Sequence, residues 1–285
     1  MKSLACELPY TYGLPLSRFS LAEIQGEVMG QGLVASIGKT TLWRWLSQDA
    51  IRPWFHRSWI FPRDPQFAQK AGPILDLYEG IWKGRPLSDD DCVVSTDEKT
   101  SIQARRREHP SLPPAPGHAT RVEHAYARRG ALAYLAAWDV RRARIFGRCE
   151  STTGIAPFQR LVSQVMSEEP YRSARRVFWI MDNGSSHRGR SSNRRLRAQW
   201  PNIVPLHTPV HASWLNQIEI YFSVIQRKVL TPNHFESTAE IADRLLRFQQ
   251  HYEQAASPFQ WKFTRSHLHK LLKKIQALEV HTAAA

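Results

Sequence analysis

The chain has 285 residues, 42% of them hydrophobic and 11% aromatic, with a net charge of +14 and a pI near 10.1. That content can bury one large core plus a small one, and the positive balance calls for a polyanionic partner, nucleic acid first and an anionic membrane surface second. No apolar run is long enough for a membrane span, residues 1–7 lack the apolar stretch of a secretory signal, and three scattered cysteines (Cys6, Cys92, Cys149) suit reduced thiols, so a cytoplasmic protein is expected.

In chain order, Ser20-Leu-Ala-Glu23 has the form of a capping box, and Leu21, Ile24 and Val28 follow at helical spacing. Gly30-Gln-Gly32 should break that helix. Ser36 then reads as the cap of a second helix over residues 37–46, with Ile37, Leu42, Trp45 and Leu46 inward and Lys39, Thr40, Trp43 and Arg44 more exposed. Two helices with a tight turn and a basic second member suggest a helix-turn-helix DNA reader, in which Lys39, Thr40 and Arg44 face the groove; an ordinary helical hairpin has the same spacing. Gly32 to Thr40 ends in Gly-Lys-Thr but has five residues between its glycines where a phosphate-binding loop has four, and no strand precedes it. Residues 52–63, aromatic and basic, read as an ordered linker. The first domain is therefore placed at residues 1–65 and the second at 66–285.

The second domain opens with a helix within residues 66–84 and a strand, Cys92-Val-Val-Ser-Thr-Asp97, continuing to Gln103. Residues 131–138 and 143–148 read as a strand pair turning near residues 139–142, and Ile155, Phe158, Leu161, Val162 and Val165 mark a helix. Val177-Phe-Trp-Ile-Met-Asp182 is an apolar run suited to a central parallel strand, ending in a carboxylate. A basic segment follows (Arg188, Arg190, Arg194, Arg195, Arg197), then a short strand at residues 203–206 and a helix capped by Ser213, whose stripe Leu215, Ile218, Phe222 and Ile225 leaves Glu219 at its margin. The expected class is α/β: an RNase H-like mixed five-stranded sheet flanked by helices, preceded by a small all-α helix-turn-helix domain.

Taken singly, Asp182 could merely close a strand with an Asx turn, and Glu219 could be a surface glutamate. Taken together, two strand-end aspartates and a helical glutamate form an all-oxygen donor set of the kind hard cations prefer. Residues 88–285 carry +11 of the +14, as a domain that grips phosphates would.

The strings Ser95-Thr-Asp-Glu-Lys-Thr-Ser-Ile-Gln103, Met181-Asp-Asn-Gly-Ser-Ser-His187 and His207-Thr-Pro-Val-His-Ala-Ser-Trp-Leu-Asn-Gln-Ile-Glu219 resemble the three acidic blocks of IS630-type transposases, in the IS630/Tc1/mariner group of the DDE superfamily. The resemblance implies that Asp97, Asp182 and Glu219 are catalytic metal ligands for Mg²⁺ or Mn²⁺, two ions, and that Asn183, His187 and Asn216 lie nearby in positioning roles. It also implies binding of terminal inverted repeats and target DNA, with cut-and-paste transposition as the reaction. A homodimer is the expected active assembly, since one recognition helix reaches few base edges. Two departures stand out: 36 residues separate Asp182 from Glu219, slightly more than is usual in the group, and a chain beginning at Met1 has room for only the second of the two usual helix-turn-helix units. The second departure leaves an alternative open, a truncated or repurposed protein that recognises transposon ends without completing transposition.

Overall fold

The computed structural model describes residues 2–56, 62–184, 187 and 189–283, and the chain divides into two compact units, Met1–Phe61 and Pro62–Ala285. In the first unit a short helix α1 (Lys2–Ala5) precedes α2 (Leu21–Gly30) and α3 (Lys39–Gln48). The capping box closes as expected: Glu23 N–H donates to Ser20 Oγ at 3.4 Å and Ser20 N–H to Glu23 Oε2 at 2.5 Å. α3 starts later than the sequence predicts, after Gly38 with no side-chain cap, because the Ile37 carbonyl is taken by the Gln25 side chain at 2.5 Å. Leu42 and Leu46 join Leu4, Phe19, Ile24 and Val28 in a small core. Trp45, expected inward, is 39% exposed, one residue and about 100° round the helix from Leu46. Part of the expected linker, residues 57–61, lies outside the described residues.

The second unit begins with α4 (Phe67–Tyr78). This helix is shorter than predicted because Gly80 takes φ +75°, and Ile81 and Trp82 turn instead into a small hairpin, β1 (Ile81–Trp82) with β2 (Arg85–Pro86), over Lys83 and Gly84 at φ 51° and 76°. Then come β3 (Asp91–Arg106), β4 (Ala127–Asp139), β5 (Ile145–Glu150), α5 (Ile155–Met166), β6 (Arg176–Met181), α6 (Gly189–Gln199), β7 (Ile203–His207), α7 (Ile218–Lys228), α8 (Thr238–Glu253) and α9 (Arg265–Ala283). β4 starts before the predicted residue 131, and Ala143 belongs to the turn before β5, at φ 56°.

The sheet has the order β5-β4-β3-β6-β7, antiparallel across the first three strands and parallel from β3 to β7, which is the RNase H-like arrangement. Alternation along β3 and β6 divides the core. Val93, Phe178 and Ile180 face α4, α7 and α8, while Cys92, Val94, Val177 and Trp179 face α5 and α6. At the sheet's amino edge the fully buried Asp91 accepts hydrogen bonds from Arg175 (Nη2, 2.8 Å) and Arg176 (Nη2, 2.8 Å; Nε, 3.0 Å) and from Ser88 N–H at 3.1 Å, fixing where β3 and β6 start. α9 docks on α4 through Leu268, Phe67 and Leu75, with Arg265 bonded to Asp76. Among the described residues, no helix is long and apolar enough to cross a membrane.

Candidate active site at the carboxyl edge of the central strands

β3 and β6 run in parallel, and at one edge of the sheet, where open α/β sheets place ligands, β6 ends and its pairing with β3 stops; β3 itself runs on beside β4 to Arg106, so Asp97 lies within the strand rather than at the expected strand end. The last residues paired between β3 and β6 are Ser95 and Ile180. Continuing that register by two residues on each strand reaches Asp97 and Asp182, and the two-residue period keeps both on the face covered by α7. Glu219 is the second residue of α7, on that same face. Strand register and helix packing thus bring to one place three carboxylates that lie far apart in sequence.

α7 does not begin at Ser213. Residues Ser213–Leu215 form a separate 3-10 turn, Asn216 is extended (φ −86°, ψ 112°), and the α-helix starts at Ile218. The break is held by β3. The buried Asn216 amide donates to the Thr96 carbonyl at 2.8 Å and to Asp97 Oδ2 at 3.4 Å, its oxygen accepts from Ser95 Oγ, and Ser95 Oγ also receives the Ile218 N–H at 2.9 Å. Glu219 therefore sits in the first turn of α7, where the helix dipole favours negative charge.

The electrostatics show the carboxylates acting on one another. Burial, with the charges of Asp182, Glu219 and Glu98 adding to it, pushes the Asp97 carboxyl up to about 7 against the Glu98 N–H bonded to it at 2.7 Å. Burial also raises Glu219, with Asp182 adding and Lys99 opposing. Asp182 moves the other way. The hydrogen bond from His187 Nε2 to its Oδ1 (2.5 Å) is the main cause, and burial, which opposes it, is outweighed with help from the Gly184 N–H at 2.8 Å. The Gly184 contact is an Asx turn, so the bland geometry of Asp182 coexists with its place in the cluster.

His187 is buried, tilted against Phe158 (centroids 4.8 Å apart), with Nδ1 3.9 Å from Glu98 Oε1 and its carbonyl 2.9 Å from His207 Nε2. Asn216 and His187 thus touch one aspartate each. Asn183 donates instead to the Thr208 carbonyl at 2.7 Å, tying the end of β6 to the loop before α7. Ser95 and Gly184 escaped the sequence reading. A serine inside the apolar run Cys92-Val-Val-Ser, two residues before Asp97 and on its face, was the available signal for the first. For the second, a Cβ on Gly184 would lie 3.0 Å from both Asp182 Oδ1 and His187 Cε1.

Among the described residues, no three His, Cys, Asp or Glu side chains are drawn together as a ready metal site. The donor set of Asp97, Asp182 and Glu219 is nevertheless all oxygen, and its mutual repulsion is what a divalent cation would relieve, so the residues fit Mg²⁺ or Mn²⁺.

The basic residues divide. On α3, Lys39, Thr40 and Arg44 are exposed together with Trp43. On α6, Arg190, Arg194 and Arg197 line one outer surface with Asn193, whereas Arg195 is half-buried and bonds Ser192 Oγ at 3.3 Å. Arg188 lies outside the described residues. α6 packs by Leu196 on the face opposite α7, so only its first turn borders the acidic edge; Arg197, seven residues past Arg190, is about 10 Å farther along the axis.

A family profile described as DDE superfamily endonuclease matches residues 92–242. Among solved structures, the Mos1 mariner paired-end complex with Mn is similar at a TM-score of 0.53 and 14% identity, covering 92% of this chain and 78% of that one. The Mos1 transposase paired-end complex with left transposon end is similar at a TM-score of 0.52 with the same identity and coverage. At such identities the likeness is one of fold. A comparison with curated proteins gives no match.

Proposed function

Since the chain belongs to the DDE superfamily of endonucleases, we propose that it is a transposase of the IS630/Tc1/mariner group that binds transposon ends, cuts them and joins them to target DNA. The observation that carries the reading is the gathering of Asp97, Asp182 and Glu219 at one sheet edge, with Asp97 pushed up to about 7 by burial and its acidic neighbours. These three side chains are the ligands, in this reading, of two Mg²⁺ or Mn²⁺ ions, which when bound supply charge neutralisation and an activated oxygen for in-line phosphoryl transfer. The chain's own part is placement. Asn216 and the Glu98 N–H set the Asp97 carboxylate, His187 and the Gly184 N–H set Asp182, and α7 presents Glu219 to both. A homodimer on duplex DNA at the bacterial nucleoid, with Lys39, Thr40 and Arg44 in the groove, completes the proposal. The similar Mos1 structures are paired-end complexes, one of them with Mn, which is consistent with it.

The direct test is incubation of the purified chain with a labelled duplex carrying the element's terminal repeat, with Mg²⁺, Mn²⁺ or EDTA. Cleavage at the repeat boundary that needs the cation is the expected result. Specific, EDTA-resistant binding with no cutting under any cation would favour a DNA-binding protein without transposase activity.

Two further outcomes are expected of this site. Gly184→Ala should lower cleavage by about 10–100-fold, the usual scale for disturbing groups that orient a metal ligand, with little change in Tm, because the added methyl displaces the Asp182–His187 pair rather than the core. Wild-type cleavage by this variant would show that the pair has no positioning role. Replacing Arg190 and Arg194 by alanine should flatten the salt dependence of DNA binding by about two units on a log–log plot, at roughly 0.9 per phosphate contact, equally for all sequences. An unchanged slope would leave α6 as a solvated face.

A further inference from the structure

The ladder between β3 and β4 outlasts the rest of the sheet. β6 pairs with β3 only from Asp91 to Ser95 and β5 with β4 only from Ala133 to Trp138, yet the β3–β4 ladder continues, through two register shifts, to Arg105 opposite Arg128 and Arg106 opposite Ala127. The outer end is a two-stranded ribbon. Between Arg105 and Arg129 the sequence places six arginines against two glutamates. Arg121, Arg128 and Arg129 are exposed, and none of them has an ion pair among the described residues. Of the two glutamates, Glu123 is engaged locally by the main-chain N–H groups of Glu108 and His109.

Folding alone does not favour this arrangement. Like charges directly opposite one another across a ladder are destabilising, and Arg105 faces Arg128. The Tyr126 ring, 4.7 Å from the Arg105 guanidinium and 5.9 Å from that of Arg107, offsets part of the cost, as does the exposed Arg106–Glu236 pair at 2.9 Å. What remains is a narrow, twisted, cationic ribbon, and the major groove of duplex DNA is wide enough to take a two-stranded ribbon. A groove of about 750 Å³ lined by Lys99, Gln103, Arg105, Tyr126 and Asn233 joins it to the part of β3 beside Asp97. Eight residues of strand separate Asp97 from Arg105, about 26 Å if fully extended and less with the bulges, the length of some six to eight base pairs.

We propose that the ribbon formed by residues 102–107 and 126–132 is a duplex-DNA contact surface, separate from α3 and α6, that grips DNA some six to eight base pairs from the phosphate being cut. The distance rests on the reading of Asp97, Asp182 and Glu219 as the cutting site; the contact itself does not. The shared chemistry is the phosphate backbone of a duplex, which either a transposon end or target DNA supplies.

The test uses the full chain, without divalent cation, and two duplexes of about 40 base pairs, one carrying the terminal repeat and one an unrelated sequence. Arg128→Ala combined with Arg129→Ala should flatten the log–log salt slope by about two units, while Arg128→Lys with Arg129→Lys should keep the wild-type slope. Loss of slope on both duplexes supports contact with duplex DNA from either source, and loss on the repeat duplex alone supports the transposon end as the ligand. An unchanged slope in the alanine variant overturns the proposal, as does equal loss in the lysine variant, which retains the charge. Cleavage is scored separately with Mg²⁺ or Mn²⁺: a wild type that cuts neither duplex defeats the cutting reading, whereas an unchanged slope defeats the ribbon alone.

Discussion

Asp182→Asn, Asp97→Asn or Glu219→Gln is expected to reduce cation-dependent strand cleavage about a thousandfold or more while leaving DNA binding and Tm close to wild type. Each change removes one anionic oxygen from the site proposed to hold charge-neutralising cations at a reacting phosphate, and electrostatic groups of that kind carry the largest single terms in such reactions. Binding should survive because the arginines proposed to meet phosphates lie elsewhere, on α6 and on the β3–β4 ribbon. Stability should survive because the three carboxylates repel one another: removing one charge from a cluster that holds Asp97 up near 7 relieves strain as well as losing hydrogen bonds. The measurement is nicking of an end-containing duplex alongside thermal unfolding. Cleavage near wild type in a folded Glu219→Gln protein would remove the helical glutamate from the site and bring back into question the 36 residues between it and Asp182.

The second large effect lies at the opposite edge of the sheet and concerns stability. Asp91→Ala should cost about 3–5 kcal/mol, the usual loss when one partner of a buried ion pair is deleted and the others are stranded. In a unit of this size that corresponds to a fall in Tm on the order of 10 °C. Arg175→Ala should cost no more than about 1 kcal/mol, since its side chain is 57% exposed and Arg176 still holds the carboxylate. Burial by itself would raise the Asp91 pKa, but the guanidiniums, Arg176 before Arg175, outweigh it and hold the carboxyl well below the usual range. A carboxyl depressed by folding stabilises the native state fully above its unfolded pKa of about 4, and that contribution fades as pH falls below it. Urea titrations from about pH 6 down to 3 should therefore show wild type losing more stability than Asp91→Asn. Parallel curves would show that the carboxylate contributes nothing through its ionisation.

How much of this was legible in the sequence depended on how local the determinant was. An apolar run ending in aspartate is written in six consecutive residues, so Asp97 and Asp182 could be tied to two strands without the fold, although only Asp182 follows a strand end and Asp97 lies within β3; the capping box at Ser20 is equally local. The start of α7 was not, because Ser213 is a credible cap until Asn216 is seen bonded to Thr96 and Asp97, about 120 residues earlier in the chain. The basic segment after Asp182 was legible as basic but not as divided, since which arginines turn outward depends on Leu196 packing under the sheet. Likewise the Ile81–Trp82 pair continues the helical apolar pattern of α4, and only the glycine conformations around it convert that pattern into a hairpin.

Asp97 lies in β3 and Asp182 directly follows β6, the middle strands of the five-stranded sheet, and each is tied by a main-chain N–H and a side chain. Glu219 stands at the first turn of a helix, and among the described residues no hydrogen bond holds its carboxylate. Two of the three acids are thus set in advance, whereas the third keeps torsional freedom about its side-chain bonds, which costs up to about 1.5–2 kcal/mol to freeze. That entropy is charged when cation and DNA arrive, so tight closure of the site depends on substrate. Under the proposed role of Glu219 as a metal ligand, a free enzyme arranged in this way would be held back from acting on phosphates met before the cation is in place.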